Sequence, residues 1–113
     1  MGHILAGRNT TIELLGGEPL WDGEVLALYR SGSEPISDDS KVRKWDALLM
    51  DLEQSQSRIN NTLDVFSNEQ MDEAVETERG LKPIWEQVKG LLWHETYHVG
   101  QIEIYSQYAQ CYR

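Results

Sequence analysis

Two apolar stripes of helical period constrain this chain more than any other feature. Val42, Trp45, Leu48, Leu49, Leu52, Ile59 and Leu63 recur at spacings of three, four or seven. Ile84, Val88, Leu91, His98, Ile102, Tyr105 and Ala109 repeat the pattern further along. A period near 3.6 held over several turns belongs to a helix with one face to bury. A shorter segment, Gly2 to Leu15, places Ile4, Leu5, Ile12 and Leu15 at similar spacing and stops at Gly16-Gly17, a C-terminal helix signal. Between these stretches, Glu18-Pro19 turns the chain and Asp22 is placed to cap a short helix through Tyr29, ended by Gly32. The run from Ser31 to Asp39 has loop composition, and Ser40 is the expected cap of the middle helix. Ser67-x-x-Gln70 reads as a capping box opening a short helix towards Val75. Gly80 breaks the chain again, and Pro83 suits the first turn of a long final helix. No segment alternates convincingly enough to be a strand. The expected fold is all-α: antiparallel helices packed as a bundle, in one domain spanning residues 1–113.

Charge narrows the partners. Nineteen acidic residues against ten basic leave a net charge of −9. That repels phosphate backbones and anionic lipid surfaces, so neither nucleic acid nor membrane is an expected partner. No apolar run is long enough to span a bilayer, the opening residues lack a secretory pattern, and the single Cys111 forms no internal disulfide. Cytoplasm is the expected compartment. Cys111 has only Arg113 as a basic neighbour and is not read as a nucleophile. The acidic stretch Asp72 to Glu78 reads as a solvated face, and Trp21, Trp45, Trp85 and Trp93 as core or interface anchors.

The chemistry lies in the histidines. There are three, His3, His94 and His98. His94 and His98 are one helical turn apart, so both rings project from one face, beside Leu91 and Ile102 on the final stripe. Such a pair either packs as two half-buried rings satisfied by water or gives two ligands to one metal ion in a bundle core. The string His94-Glu95-Thr96-Tyr97-His98 also satisfies the H-E-x-x-H pattern, in which Glu95 would be a general base beside zinc. The sequence around it speaks against a protease: Gln101 stands where a metzincin has glycine, and no histidine follows His98.

The run Leu92-Trp93-His94-Glu95-Thr96-Tyr97-His98-Val99-Gly100-Gln101-Ile102-Glu103 resembles the last helix of the DinB-like (YfiT-like) metalloenzymes, which carries H-x-x-x-H-x-G-Q-I. The opening Gly2-His3-Ile4-Leu5-Ala6-Gly7-Arg8-Asn9 resembles the earlier helix that supplies a third histidine in that family. The resemblance implies a four-helix bundle of up-down-down-up topology with a divalent ion on His3, His94 and His98. It makes Val42 to Leu63 the third bundle helix and the region from Trp21 to Ser40 the crossing connection. Gly100 would admit a close neighbouring helix and Gln101 would be a polar partner of the site or a partly exposed amide. Zinc or nickel suits imidazole ligands, and three histidines leave positions open. The resemblance further implies a metal-dependent thiol transferase or isomerase, or a hydrolase, acting on a small molecule.

One departure carries its own expectation. In the family a whole helix precedes the one bearing the first histidine, whereas here His3 lies two residues from the start. Three amphipathic helices would leave a groove open, and a second copy would close it, as a homodimer or a tetramer of dimers. Some of Ile4, Ile12, Trp45, Leu49, Trp85 and Tyr105 are expected in that interface, and the aromatic tail Tyr105 to Arg113 is a further contact. A second reading is a non-catalytic oligomeric helical module whose histidines are vestigial or bind metal only structurally.

Overall fold

The computed structural model describes residues 1–112. Helix accounts for 68% of the chain. The long elements are α1 (Gly2–Leu14), α3 (Trp45–Val65) and α5 (Ile84–Cys111); α2 (Gly23–Tyr29) and α4 (Asn68–Met71) are short. A two-stranded hairpin, β1 (Ala74–Thr77) and β2 (Gly80–Pro83), precedes α5. Arg113, the end of the aromatic tail, lies outside the described residues. Among the described residues no helix is long and apolar enough to cross a membrane.

The first helix is the one the others cover. Gly2, Ile4, Leu5, Ala6, Asn9, Thr11 and Ile12 are all buried, a spread wider than one stripe, because α2, α3 and α5 each pack on α1. A helix enclosed on several sides needs apolar or small residues around most of its circumference, which this segment has. Leu5 and Ala6 join Trp21 and Leu48 in the main core cluster. Gly16, at φ +76°, ends the helix as its sequence signalled.

The helices are not all antiparallel. Leu5 meets Leu48, Arg8 reaches Leu52 and Ser55, and a side chain at Gly17 would strike Thr62, so α1 and α3 run the same way. Against α5 the order reverses: His3 meets His98, and Arg8 meets Glu95. The physical reason is the connection between α1 and α3. Residues 15–44 are long enough to return the chain to the end from which α1 began, whereas a short loop would have forced antiparallel neighbours.

Buried polar groups fix that connection. Asn9, fully buried, accepts hydrogen bonds on Oδ1 from the backbone N–H of Leu20 at 2.7 Å and of Trp21 at 2.9 Å. Trp21 Nε1 donates to Asp51 Oδ2 at 2.9 Å, and Arg43 Nε donates to the same oxygen at 2.7 Å. Asp22 accepts from the Val25 N–H at the start of α2, as its position predicted.

Two local expectations are corrected. Ser40 does not cap α3. Its N–H and Oγ both donate to Asp38 Oδ1, at 3.0 and 2.7 Å, closing a 3₁₀ turn at Asp39–Lys41. The helix begins later, at Trp45, without a side-chain cap, and Val42 lies outside it. The capping box Ser67–Gln70 forms, yet its helix ends at Met71 instead of running towards Val75. Val75 instead pairs with Lys82 in the hairpin, so the chain does contain strands despite its lack of convincing alternation, and part of the acidic stretch Asp72 to Glu78 is strand β1. The turn is closed by Thr77, whose Oγ1 donates to Gly80 O at 2.7 Å, and by Gly80 at φ +92°.

The outer faces remain bare. The radius of gyration is 15.7 Å, against about 13 Å for a compact chain of this length. The excess comes from α5, which runs past α1: every described residue beyond His98 is exposed. Ile102 and Tyr105, expected to face a core, therefore face none. Gly100 has no neighbour within 4 Å of where its Cβ would be, so the close helix contact expected there is absent. Of the four tryptophans, only Trp21 is buried.

Candidate metal centre

His3 is set by α1 and by the end of α2. Gly2 lets the Tyr29 ring lie flat against the helix, since any Cβ there would overlap that ring. The Tyr29 side chain is held from its far end, where its hydroxyl accepts from the Arg43 N–H at 2.9 Å. Its carbonyl accepts from His3 Nδ1 at 2.9 Å. A carbonyl cannot donate, so His3 carries its proton on Nδ1 and presents a lone pair on Nε2.

The other two rings come from one turn of α5. His98 Nδ1 donates to Gln101 Oε1 at 2.7 Å, which leaves its Nε2 lone pair free as well. His94 Nε2 lies 3.0 Å from His98 Nε2 and 3.3 Å from His3 Nε2. The ring pairs meet edge to face, with centroids 4.4 to 5.0 Å apart. Burial pushes the His94 imidazole below its ordinary pKa, and the neighbouring His98 and His3 add to the fall. His94 is thus held in the neutral form that a metal ligand requires.

The arrangement fits a divalent ion. Metal–imidazole bonds of 2.0–2.1 Å place two ligand nitrogens about 3.3 Å apart at the tetrahedral angle and about 2.9 Å apart at a right angle. The two separations that His94 makes, 3.3 Å to His3 and 3.0 Å to His98, match that range. One ligand atom from each of the three histidines lies within 4.8 Å of those of the other two. Hydrogen bonds from Nδ1 to a carbonyl and to an amide oxygen are the outer contacts that orient ligating imidazoles. Imidazole lone pairs this close repel unless a proton or a cation lies between them. The structure therefore brings together all three histidines singled out from sequence, and Gln101 is a partner of the site.

Glu95 has another occupation. Arg8 holds it from α1, with Nη2 2.8 Å from Oε1 and Nε 3.2 Å from both carboxylate oxygens. Arg8 Nη1 also donates to Ser55 Oγ on α3 at 3.1 Å. The carboxylate that would act as base in an H-E-x-x-H protease is here an anchor joining α1 to α5. Sequence reading missed Arg8, Ser55 and Tyr29 as supports of the site. Arg8 stands five residues after His3 and Glu95 one after His94, but an ion pair across so many residues leaves no local signal.

A cleft of about 260 Å³ opens beside His3 and His94, with Leu26 and Leu91 among its walls. A second cleft of about 400 Å³ is lined by His3, the end of α2 and the loop that follows it. Comparison of the chain with protein-family profiles, with curated proteins and with solved structures returned no match.

Proposed function

We propose that this chain is a divalent-metal-binding helical protein of the DinB-like class, acting on a small molecule or thiol as a transferase, isomerase or hydrolase. The observation that carries the reading is the convergence of His3, His94 and His98 through Nε2, two of them pre-oriented by hydrogen bonds on Nδ1. The helix directions agree with the resemblance: a parallel pair α1 and α3 followed by an antiparallel α5 is the order of the last three helices in an up-down-down-up bundle. Zinc or nickel suits the all-imidazole donor set. An ion held there would supply a Lewis-acid centre with positions left for a thiol or for water. The protein's part is to orient the three imidazoles and to shape the adjoining cleft. Elemental analysis after zinc loading and dialysis tests this. About one ion per chain is expected, with strong loss in His98→Ala; equal occupancy in that variant would reject the assignment.

A second reading, a homo-oligomeric module, is favoured by the exposed aromatic rings along α5. Trp85, Trp93, Tyr97, Tyr105 and Tyr108 are 44 to 73% exposed. At 150–250 Å² per ring this leaves on the order of 600 Å² of aromatic surface in water, close to one partner's share of a standard interface. Residues 99–112 carry one charged side chain, Glu103, so two copies could meet there without the repulsion expected of a net charge of −9. Of the interface residues expected from sequence, Ile4 and Ile12 are spent in the chain's own core, while Trp45, Leu49, Trp85 and Tyr105 remain exposed. Sedimentation equilibrium at micromolar concentration should give a dimer or tetramer, and Tyr105→Glu should shift it towards monomer. A wild-type monomer would refute the association. The two readings are compatible, and metal analysis of the assembly decides whether it also holds an ion.

A further inference from the structure

Most arginines near the core are engaged. Arg8 holds Glu95, Arg43 holds Asp51, and Arg58 donates to the carbonyls of Glu18 and Pro19. Arg30 is different. Among the described residues its side chain makes no ion pair and no hydrogen bond, yet it lines both clefts that flank His3. Its place is not incidental to the histidines. It follows Tyr29 in the chain, and the Tyr29 carbonyl is what orients His3. The end of α2 therefore orients the His3 imidazole and carries the exposed Arg30 beside it.

The charge around the smaller cleft runs against that of the whole chain. Of nineteen acidic residues, none lines it, and Arg30 is its only permanently charged side chain. The larger cleft, by contrast, includes Glu34. Leu26, Leu91 and Ala6 give the smaller cleft apolar walls, and Gly7, Thr10 and Ser31 also line it. Its volume of about 260 Å³ falls just under the range of drug-sized pockets, so its occupant is small.

We propose that the cleft beside His3 and His94 binds a small organic anion, its acidic head on Arg30 and its apolar body against Leu26 and Leu91. The assignment of this anion as the substrate class rests on the metal-centre reading; the binding itself needs only Arg30 and the apolar walls. A guanidinium with free donors pairs with carboxylate or phosphate in bidentate fashion. An ion on the histidines would add a second positive centre to the same cleft, so both favour an anion and disfavour a cation.

Titration calorimetry with the whole protein, zinc-loaded and zinc-free, tests this with four probes of equal chain length: hexanoate, hexyl phosphate, hexanol and hexylammonium. The two anions should bind more tightly than hexanol, and hexylammonium should bind least. The tighter of the two anions identifies the head group. Arg30→Gln should weaken the anions roughly tenfold, as loss of a charge-assisted contact does, and Arg30→Lys should recover part of it. Arg79→Gln, in the hairpin turn away from the cleft, should change nothing. Anion affinity unchanged in Arg30→Gln, or hexanol binding as well as hexanoate, would overturn the proposal. Elemental analysis of the same samples separates the two readings. Arg30-dependent binding without retained zinc would sink the metal centre alone, and retained zinc without Arg30 dependence would sink the anion site alone.

Discussion

The Arg8 guanidinium lies 2.8 Å from Glu95 Oε1, so the residue beside His94 on α5 is held by the same helix that carries His3. Both side chains are largely shielded, at 16 and 24% exposure. The pair fixes how α1 and α5 sit against each other where the three imidazoles meet.

Breaking that pair should therefore cost both stability and metal binding. Arg8→Gln removes the charge-assisted contact to Glu95, and a loss of roughly 1.5–3 kcal/mol is expected in urea unfolding of the metal-free protein. Zinc affinity should fall as well, although no ligand is removed. Full zinc affinity in a destabilised Arg8→Gln would show that the clamp does not position the site.

Gly2 is a sharper probe of positioning. Gly2→Ala puts a Cβ into the Tyr29 ring, which must move, and the Tyr29 carbonyl on His3 Nδ1 moves with it. Helix propensity alone would make alanine stabilising by up to about 1 kcal/mol. Weakened zinc binding in Gly2→Ala is the expected result, measured by competition with a chromogenic chelator. Unaltered binding would mean that His3 is oriented by something other than Tyr29.

Asn9 should matter to the fold more than to the ion. Asn9→Ala leaves the backbone N–H groups of Leu20 and Trp21 without their shared acceptor. A loss of about 2–3 kcal/mol is expected from two donors left unpaired, one buried and one half-buried. Thermal unfolding would read it, and a change under 0.5 kcal/mol would contradict the assigned role.

The pH dependence follows from His94. Its pKa is lowered in the fold, first by burial and then by His98 and His3. The unfolded chain therefore takes up this proton more readily than the folded one, starting near the ordinary value of about 6.5. The corresponding stability of the metal-free protein is present above that value and is lost as the pH falls through the lower folded value. Urea midpoints between pH 7.5 and 5 should decline, and His94→Gln should decline less. Parallel curves for the two proteins would exclude His94 as the cause.

The sequence carried the helices and the histidine pair because both depend on local periodicity. Spacing alone puts His94 and His98 on one face, and the Asp22 and Ser67 caps are local chemistry that formed as read. The hairpin was not legible, since four residues of Ala-Val-Glu-Thr around a Glu-Arg turn carry neither strong strand propensity nor the usual Asn-Gly signal. Ser40 misled because Asp38 competes for it within the same loop. Apolar periodicity says nothing of helix direction, so the parallel course of α1 and α3 followed only from the up-down-down-up topology that the resemblance implied. The apolar residues of α5 past His98 gave a correct helix and an incorrect burial, because the stripe says what must be covered and not whether this chain covers it.

X-ray absorption at the zinc edge reads out whether His3, His94 and His98 share one ion. The zinc-loaded protein should show about three imidazole ligands at 2.0–2.1 Å, with the outer-shell scattering of the rings. Each of His3→Ala, His94→Ala and His98→Ala should remove one ring from that shell or abolish binding. A zinc spectrum with fewer than two imidazoles, or one unchanged by all three substitutions, would rule out an ion shared by the three histidines.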